Sequence, residues 1–336
     1  MGRSQAERDD MASRLEHHYA RHGRKLPWRD GASAYGVAVS EFMLQQTTVE
    51  TVVAYFRRFL AAFPDFATLA AASEVDVLRH WEGLGYYRRA RSLHRLAKAV
   101  VASGGSLPDS EEALRGLPGV GPYTAAAIRL FGQRRRALPV DANVRRVTSR
   151  LFALEGASDD LVRERLDAIA PADPYDFFQA LMDLGASLCR ARSPQCGACP
   201  LATDCAACAS GHPEAFGRSP ARGAVRDVDV VLVAVRRGGE VLVRRREEGL
   251  LGGLWGLPEA FGESRPAGLE CASVADTGLS FTHRFTHRRW HVRIQIADGA
   301  GEGKWVSARD PGLPLGGPDR TALRLLLEGG FLDGDR

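Results

Sequence analysis

The chain has 336 residues, enough for two domains, and 45% of them are hydrophobic, as in an ordinary soluble globular protein. With 45 Lys and Arg against 41 Asp and Glu, the net charge is +4, which permits nucleic-acid binding through local patches without demanding it. Met1 to Lys25 is polar and lacks the apolar core of a signal peptide, and no run is long enough to span a membrane, so a cytoplasmic protein is expected, with its six cysteines reduced or metal-bound.

In chain order, Ala6 to His22 reads as a helix, stopped by Pro27 in Leu26-Pro-Trp-Arg-Asp30. Trp28 reads equally as core or pocket wall; Arg29 suits a pocket or a phosphate. Residues 34–47 read as a helix that is apolar almost all round, hence buried. Val37, Glu41 and Leu44 share one face of it. A carboxylate there is costly unless paired or protonated, and desolvation raises its pKa toward what a general acid needs. The alternative is a structural Glu. Gln45, Gln46 and Thr47 end the helix, and a second one runs from Val49 to Phe63. Residues 65–107 are helical again, interrupted by Trp81-Glu-Gly-Leu-Gly-Tyr-Tyr-Arg-Arg-Ala-Arg91, where Gly83 and Gly85 make a loop. Tyr86 and Tyr87 beside Arg88, Arg89 and Arg91 suit DNA, or else form core and a solvated face.

Asp109 with Glu112 looks like a capping box, and Gly116 like a left-handed helix end. Gly119-Val-Gly121 then makes a tight hairpin before Pro122, and Thr124, Ile128 and Phe131 recur at helical spacing. The pattern is helix–hairpin–helix. Its backbone N–H groups at a helix N-terminus suit one phosphate, although a structural turn reads similarly. Val140-Asp-Ala-Asn143 follows, then Arg145, Arg146 and Arg150, which are phosphate contacts or a solvated face. Cys189, Cys196, Cys199 and Cys205 have the spacing C-x6-C-x2-C-x5-C. Cys208 creates a rival set, Cys196, Cys199, Cys205 and Cys208, and the chemistry alone allows zinc or an iron–sulfur cluster.

Ser210 to Arg226 reads as a linker. Strands follow at Val228–Val235, Glu240–Arg244 and Trp290–Ala297, with Gly238-Gly239 as a hairpin turn and a last helix at Thr321–Glu328. The tripeptide Phe-Thr-His occurs twice, at Phe281–His283 and at Phe285–His287.

Leu117-Pro-Gly-Val-Gly-Pro-Tyr-Thr-Ala125 resembles the hairpin of the endonuclease III superfamily of DNA glycosylases, and Ser40-Glu-Phe-Met-Leu-Gln-Gln-Thr47 resembles its MutY-type, adenine-specific branch. The resemblance implies a multidomain protein. An all-α helix–hairpin–helix domain (1–209) with a 4Fe-4S loop (189–205) is followed by a linker (210–226) and an α+β Nudix-like domain (227–336). It implies excision of adenine mispaired with 8-oxoguanine or guanine in duplex DNA, by a monomer in the nucleoid. Glu41 is then the general acid, Asp141 the carboxylate that stabilises the sugar cation, and Tyr123 and Asn143 their assistants. Cys189, Cys196, Cys199 and Cys205 hold the cluster, leaving Cys208 a free thiol. Arg24, Trp28, Arg29, Leu44, Gln179 and Met182 match the adenine pocket. Gln45, Gln46, Thr47, Leu84 and Tyr86 match minor-groove contacts, and Gly119, Val120 and Gly121 a phosphate site.

The second Phe-Thr-His copy, Phe285, Thr286 and His287, matches the family's Phe-Ser-His loop that contacts the oxidised base; it is preferred because Trp290 follows it. Tyr123 occupies the position where bifunctional relatives carry a Schiff-base Lys, so base removal without strand cleavage is expected. Downstream of Glu259 stand Glu263 and Glu270 but no R-E-x-x-E-E string, so no nucleotide hydrolysis is expected. An oxidised-pyrimidine lyase, a nucleotide-pool Nudix hydrolase and a non-enzymatic lesion binder remain as rivals.

Overall fold

A computed structural model describes residues 4–29, 31–218, 223–247, 249–262 and 266–332. The expected site motifs lie within them, whereas Asp30, Glu263 and residues 219–222 of the expected linker lie outside. The chain forms two compact units, one of Met1–Ala72 with Arg91–Pro220, the other of Ser73–Ala90 with Ala221–Arg336.

The first unit is helical. It opens with α1 (Gln5–His22), α2 (Ala34–Leu44), α3 (Val49–Ala62) and α4 (Phe66–Ala71). After α5 (Glu74–Trp81), which belongs to the second unit, α6 (Arg88–Ala102) brings the chain back. Then come α7 (Glu111–Arg115), α8 (Pro122–Ala127), a π-helical turn at Ile128–Gly132, α9 (Ala142–Leu151), α10 (Asp159–Asp167), α11 (Tyr175–Ser187) and α12 (Ala206–Ala209). Every residue of α2 from Tyr35 to Met43 is buried, as its all-round apolar pattern requires. Met11 and Leu15 of α1, Val37 of α2, Val144 and Val147 of α9, and Phe177, Phe178 and Leu181 of α11 share one core.

Two details of the hairpin differ from the sequence reading. Ser110, not Asp109, caps α7; its hydroxyl accepts from the Ala113 N–H at 3.1 Å. Ser is as competent a cap as Asp and stands one residue nearer that N–H. Gly116 is right-handed (φ −71°), and the left-handed conformation falls on Gly119 (φ +77°). A side chain at Gly119 would also meet Phe42 of α2 at 2.8 Å and Ser92 of α6 at 2.7 Å. The hairpin is thereby seated on the helix that carries Glu41.

The second unit holds a mixed sheet. Its strands are β1 (Arg226–Arg237), β2 (Glu240–Arg245), β3 (Trp255–Gly256), β4 (Glu259–Phe261), β5 (Leu269–Arg284), β6 (Arg288–Gly301) and β7 (Lys304–Ser307). Their order is β3-β2-β1-β6-β5, with β4 also on β1 and β7 also on β2. β1 and β2 join through Gly238-Gly239 as the sequence predicts, and β1 runs parallel to β6. β5 was not foreseen: Asp276, Gly278 and two register shifts interrupt its alternation. The closing helix α13 (Gly317–Glu328) starts before the expected Thr321, because Pro318 suits a first helical turn. Glu82 pairs with Arg320 and accepts from the Leu315 N–H at 3.3 Å, which fastens the α5 segment to this unit.

Beneath the sheet's loops, Arg246 pairs with Asp319 at 2.8 Å and Glu259 at 2.7 Å, and the Leu257 N–H donates to Asp319 at 2.9 Å. Asp319 is wholly buried. Arg246→Met strands that carboxylate, so it should lower stability by about 3–5 kcal/mol in denaturant melts, whereas Arg246→Met with Asp319→Leu should recover most of the loss.

Candidate active site

A cavity of about 430 Å³ opens within the helical unit. Glu41, Tyr123, Asp141 and Asn143 line it, as do Arg24, Trp28, Arg29, Leu44, Gln179 and Met182. Five separate stretches of sequence therefore meet at one place, residues 24–29 among them. Glu41 arrives on α2, whose Val37–Glu41–Leu44 face looks into the cavity. Tyr123 stands in the first turn of α8, directly behind the hairpin, and Asp141 caps α9. Gln179 and Met182 come from α11.

Glu41 is buried, and burial pushes its carboxyl up to about 7. The Tyr123 hydroxyl, donating to that carboxyl, and the charge of Arg29 oppose the rise, while Asp141 adds to it. Asp141 is also raised by burial, but four groups resist. The Val144 N–H donates to it at 2.6 Å and the Asn143 side chain at 3.3 Å, with the Asn143 N–H and the Arg146 charge behind them. The two carboxyls are thus not shifted in opposite directions. What distinguishes them is the donor set: a helix N-terminus solvates Asp141 as an anion, and Glu41 has one phenol.

Asp183 of α11 was not singled out from the sequence. It accepts two bonds from Arg29, at 2.8 and 2.9 Å, and two from Arg24, both at 2.8 Å. Burial would raise its pKa, yet the Arg29 hydrogen bonds and charge, with help from Arg24, hold it below its ordinary value. Asp183 therefore fixes two cations that line the cavity. The clue was available: an Asp in the apolar run of α11 needs partners as much as Glu41 does. Two residues on, a side chain at Gly185 would meet the Asn143 Cβ at 2.6 Å, so α11 closes on the start of α9 only because residue 185 is Gly.

Of the residues expected to touch DNA, Gln45 and Thr47 line the same cavity. Gln46 is exposed and left-handed (φ +62°), a strained conformation for a side-chain-bearing residue. Val120 is buried, while a side chain at Gly121 would meet nothing, and α8 begins behind it without a side-chain cap. Leu84, Tyr86 and Phe285–His287 belong to the second unit. Leu84 is buried and Tyr86 exposed. The Phe285 copy of Phe-Thr-His forms the β5–β6 turn, its ring edge-on to Trp290 at 5.0 Å, whereas the Phe281 copy lies within β5.

Three of the arginines that read as a phosphate-binding or solvated face are buried. Arg89 is buried and donates to the carbonyls of Leu84 and Gly85, bracing their loop. Arg146 donates to the carbonyls of Cys189 and Gly185, and Arg150 to those of Arg190 and Ala191. These guanidiniums replace backbone donors that an irregular loop lacks, which is why a charged helix face ends up buried. Gly217, within the stretch that reads as linker, also packs on α9: a side chain there would meet the Arg146 backbone at 2.9 Å.

Clamped in this way, Cys189, Cys196, Cys199, Cys205 and Cys208 line one small chamber. Arg150 reaches the Cys189 sulfur at 3.4 Å. Among the described residues no three His, Cys, Asp or Glu side chains converge as a single-ion site. As ligands the chamber offers five thiols, without imidazole or carboxylate, a donor set that fits a soft iron–sulfur centre.

The helices and hairpin match a family model for the HhH-GPD superfamily of base excision DNA repair proteins over residues 39–172, and residues 189–205 match the iron–sulfur binding domain of endonuclease III. Residues 230–325 match a NUDIX domain. A solved thermostable thymine-DNA glycosylase superposes with a TM-score of 0.57 at 27% identity, covering 61% of this chain and 98% of that one. The fold and site thus define a helix–hairpin–helix DNA glycosylase of base-excision repair.

The adenine DNA glycosylase of Mycobacterium tuberculosis is 42% identical over 245 residues, which span 68% of this chain and 79% of that protein. That of Arabidopsis thaliana is 34% identical, over 81% of this chain and 54% of its own length. This chain belongs to the adenine DNA glycosylase family: it hydrolyses the N-glycosyl bond that holds adenine in DNA. No helix among the described residues is long and apolar enough to cross a membrane.

A carboxyl with a raised pKa binds its proton more tightly in the folded than in the unfolded chain. Stability is then full below the ordinary carboxyl range, falls as pH rises, and is lowest beyond about 7. Glu41→Gln should therefore melt higher than the unaltered chain above neutrality, by up to about 3 kcal/mol, and the gap should close toward acid pH.

Proposed function

We propose that the chain excises adenine paired with 8-oxoguanine or guanine in duplex DNA and leaves the strand uncut. The observation that carries this is the meeting of Glu41, Tyr123, Asp141 and Asn143 in one cavity, with the Glu41 carboxyl poised near neutrality. The adenine is flipped out of the stack into that cavity. Glu41 gives its proton to N7 of the base, making adenine a better leaving group. The bond from Tyr123 positions that carboxyl. Asp141, solvated by the first turn of α9, faces the sugar as cationic character develops at its anomeric carbon. Asn143 holds Asp141 in place. The N-glycosidic bond breaks with its electron pair passing to adenine, water adds to the anomeric carbon, and the proton it releases returns to the Glu41 carboxylate. Two carboxyl groups in unlike surroundings so divide the work, as in glycoside hydrolysis. Arg24 and Arg29, fixed by Asp183, with Trp28, Leu44, Gln179 and Met182, form the walls that orient the base.

Tyr123 argues for a monofunctional enzyme, because a phenol cannot form the Schiff base that strand cleavage by a lyase requires. In the NUDIX unit, the described residues between β4 and α13 form no helix that could carry a Mg²⁺-holding Glu cluster, and Glu259 is taken up by Arg246. Recognition, not diphosphate hydrolysis, is the role proposed for this unit, with the Phe285–His287 turn reading 8-oxoguanine. Gln45, Gln46 and Thr47 enter the minor groove with Leu84 and Tyr86, and the Gly119–Gly121 hairpin takes a phosphate. The four family cysteines hold a 4Fe-4S cluster that supplies structural cross-linking; Arg146 and Arg150 already brace the loop around it. Along the sequence the proposed domains are 1–209 and 227–336, although residues 73–90 pack with the second unit, and the protein works as a monomer on nucleoid DNA.

Incubation with a duplex carrying adenine opposite 8-oxoguanine should give cleavage of the adenine strand only after hot alkali. Cleavage without alkali would sink the monofunctional reading. Glu41→Gln should slow base release about 10²–10⁴-fold. In single-turnover assays the rate should fall as pH rises through about 7, where Glu41 loses its proton.

A further inference from the structure

Cys208 is the one thiol of the chamber that the family ligand set leaves unused. Its surroundings divide the five cysteines into two groups. Cys189, Cys199 and Cys205 pack against the helical core beside Leu201 and Leu188. Cys196 and Cys208 do not belong to that core, although both line the chamber. Cys196 sits in a largely exposed turn, and a side chain at its neighbour Gly197 would meet nothing. Cys205 stands in extended conformation just ahead of α12, and Cys208 lies within that helix's single turn. α12 is itself anchored, with Ala207 wholly buried and the Ala209 N–H bonded to the Cys205 carbonyl at 3.0 Å. Cys208 therefore lines the chamber from an anchored turn, half-buried, with its thiol within hydrogen-bonding reach of the Cys196 thiol.

We infer that the outermost ligand position of the iron–sulfur cluster is served by either of two thiols, Cys196 or Cys208, while Cys189, Cys199 and Cys205 are irreplaceable. The exchange is a ligand substitution without electron transfer. The Cys208 thiol releases its proton to water and its sulfur binds the iron that Cys196 leaves, and the departing Cys196 thiolate takes up a proton. A cluster whose outer ligand is alkylated, oxidised or lost then keeps four protein ligands. The inference rests on the loop's holding an iron–sulfur cluster: a wild-type chain purified without iron or sulfide would overturn that premise rather than the exchange.

The test compares iron, acid-labile sulfide and cluster absorbance in anaerobically purified, full-length variants. Cys208→Ala and Cys196→Ala should each keep most of the cluster, and Cys199→Ala and the double variant Cys196→Ala/Cys208→Ala should lose nearly all of it. Equal loss in Cys196→Ala and the double variant would refute the exchange, as would equal retention in both, which would make water the substitute. Alkylation of the holoproteins with iodoacetamide, mapped by mass spectrometry, gives an answer even where the double variant does not fold. Cys208 should be modified in the unaltered chain and protected at least several-fold in Cys196→Ala. The same reactivity in both would overturn the inference.

Discussion

The helical unit depends on keeping a carboxyl group dry. Glu41 sits on a helix buried all round, with a single phenol for a donor, and its proton affinity follows from that poverty of partners. Asp141, a few residues past the hairpin's second helix, is surrounded by the opposite arrangement, a helix N-terminus that solvates charge. The difference in donors between the two carboxyls is thereby written into backbone placement.

Close approach of helices is the second requirement, and glycines set it. Gly119 lets the hairpin rest on Phe42, Gly185 lets α11 rest on Asn143, and Gly132 lets the π-helical turn touch Ala34 at the start of α2. Each contact ends within a few residues of a group that lines the cavity. The arrangement of Glu41, Tyr123 and Asp141 is therefore held by close packing at glycines, against backbone at Gly132 and Gly185 and against the Phe42 ring at Gly119.

Part of this is legible from residues alone. An acid in an apolar helix and a glycine hairpin followed by Pro-Tyr are local signals, whereas Asp141 stands out only through the family resemblance; Glu41, Tyr123 and Asp141 all line one cavity. The buried roles of Arg146 and Arg150 are not legible, because arginines spaced along a helix look solvated until a loop some forty residues later covers them. Asp183 was missed for a related reason: its partners lie more than 150 residues away. The grouping of residues 73–90 with the sheet-bearing unit rests on contacts such as Glu82 with Arg320, which no local pattern announces. β5 escaped because its pairing with β6, rather than its own alternation, makes it a strand.

The arginine clamp on the cysteine loop has a consequence for how the unit opens. Arg146 and Arg150 hang from the helix that Asp141 caps, and their hydrogen bonds end on carbonyls of residues 185–191 and 216. Peeling the loop away exposes two guanidiniums together with the carbonyls they satisfy, so partial detachment gains little. The loop and α9 are expected to open as one cooperative segment, with backbone amides in both exchanging with solvent hydrogen at a common rate. The helix beneath Asp141 is thus expected to stay in register for as long as the sulfur-rich loop stays seated on it.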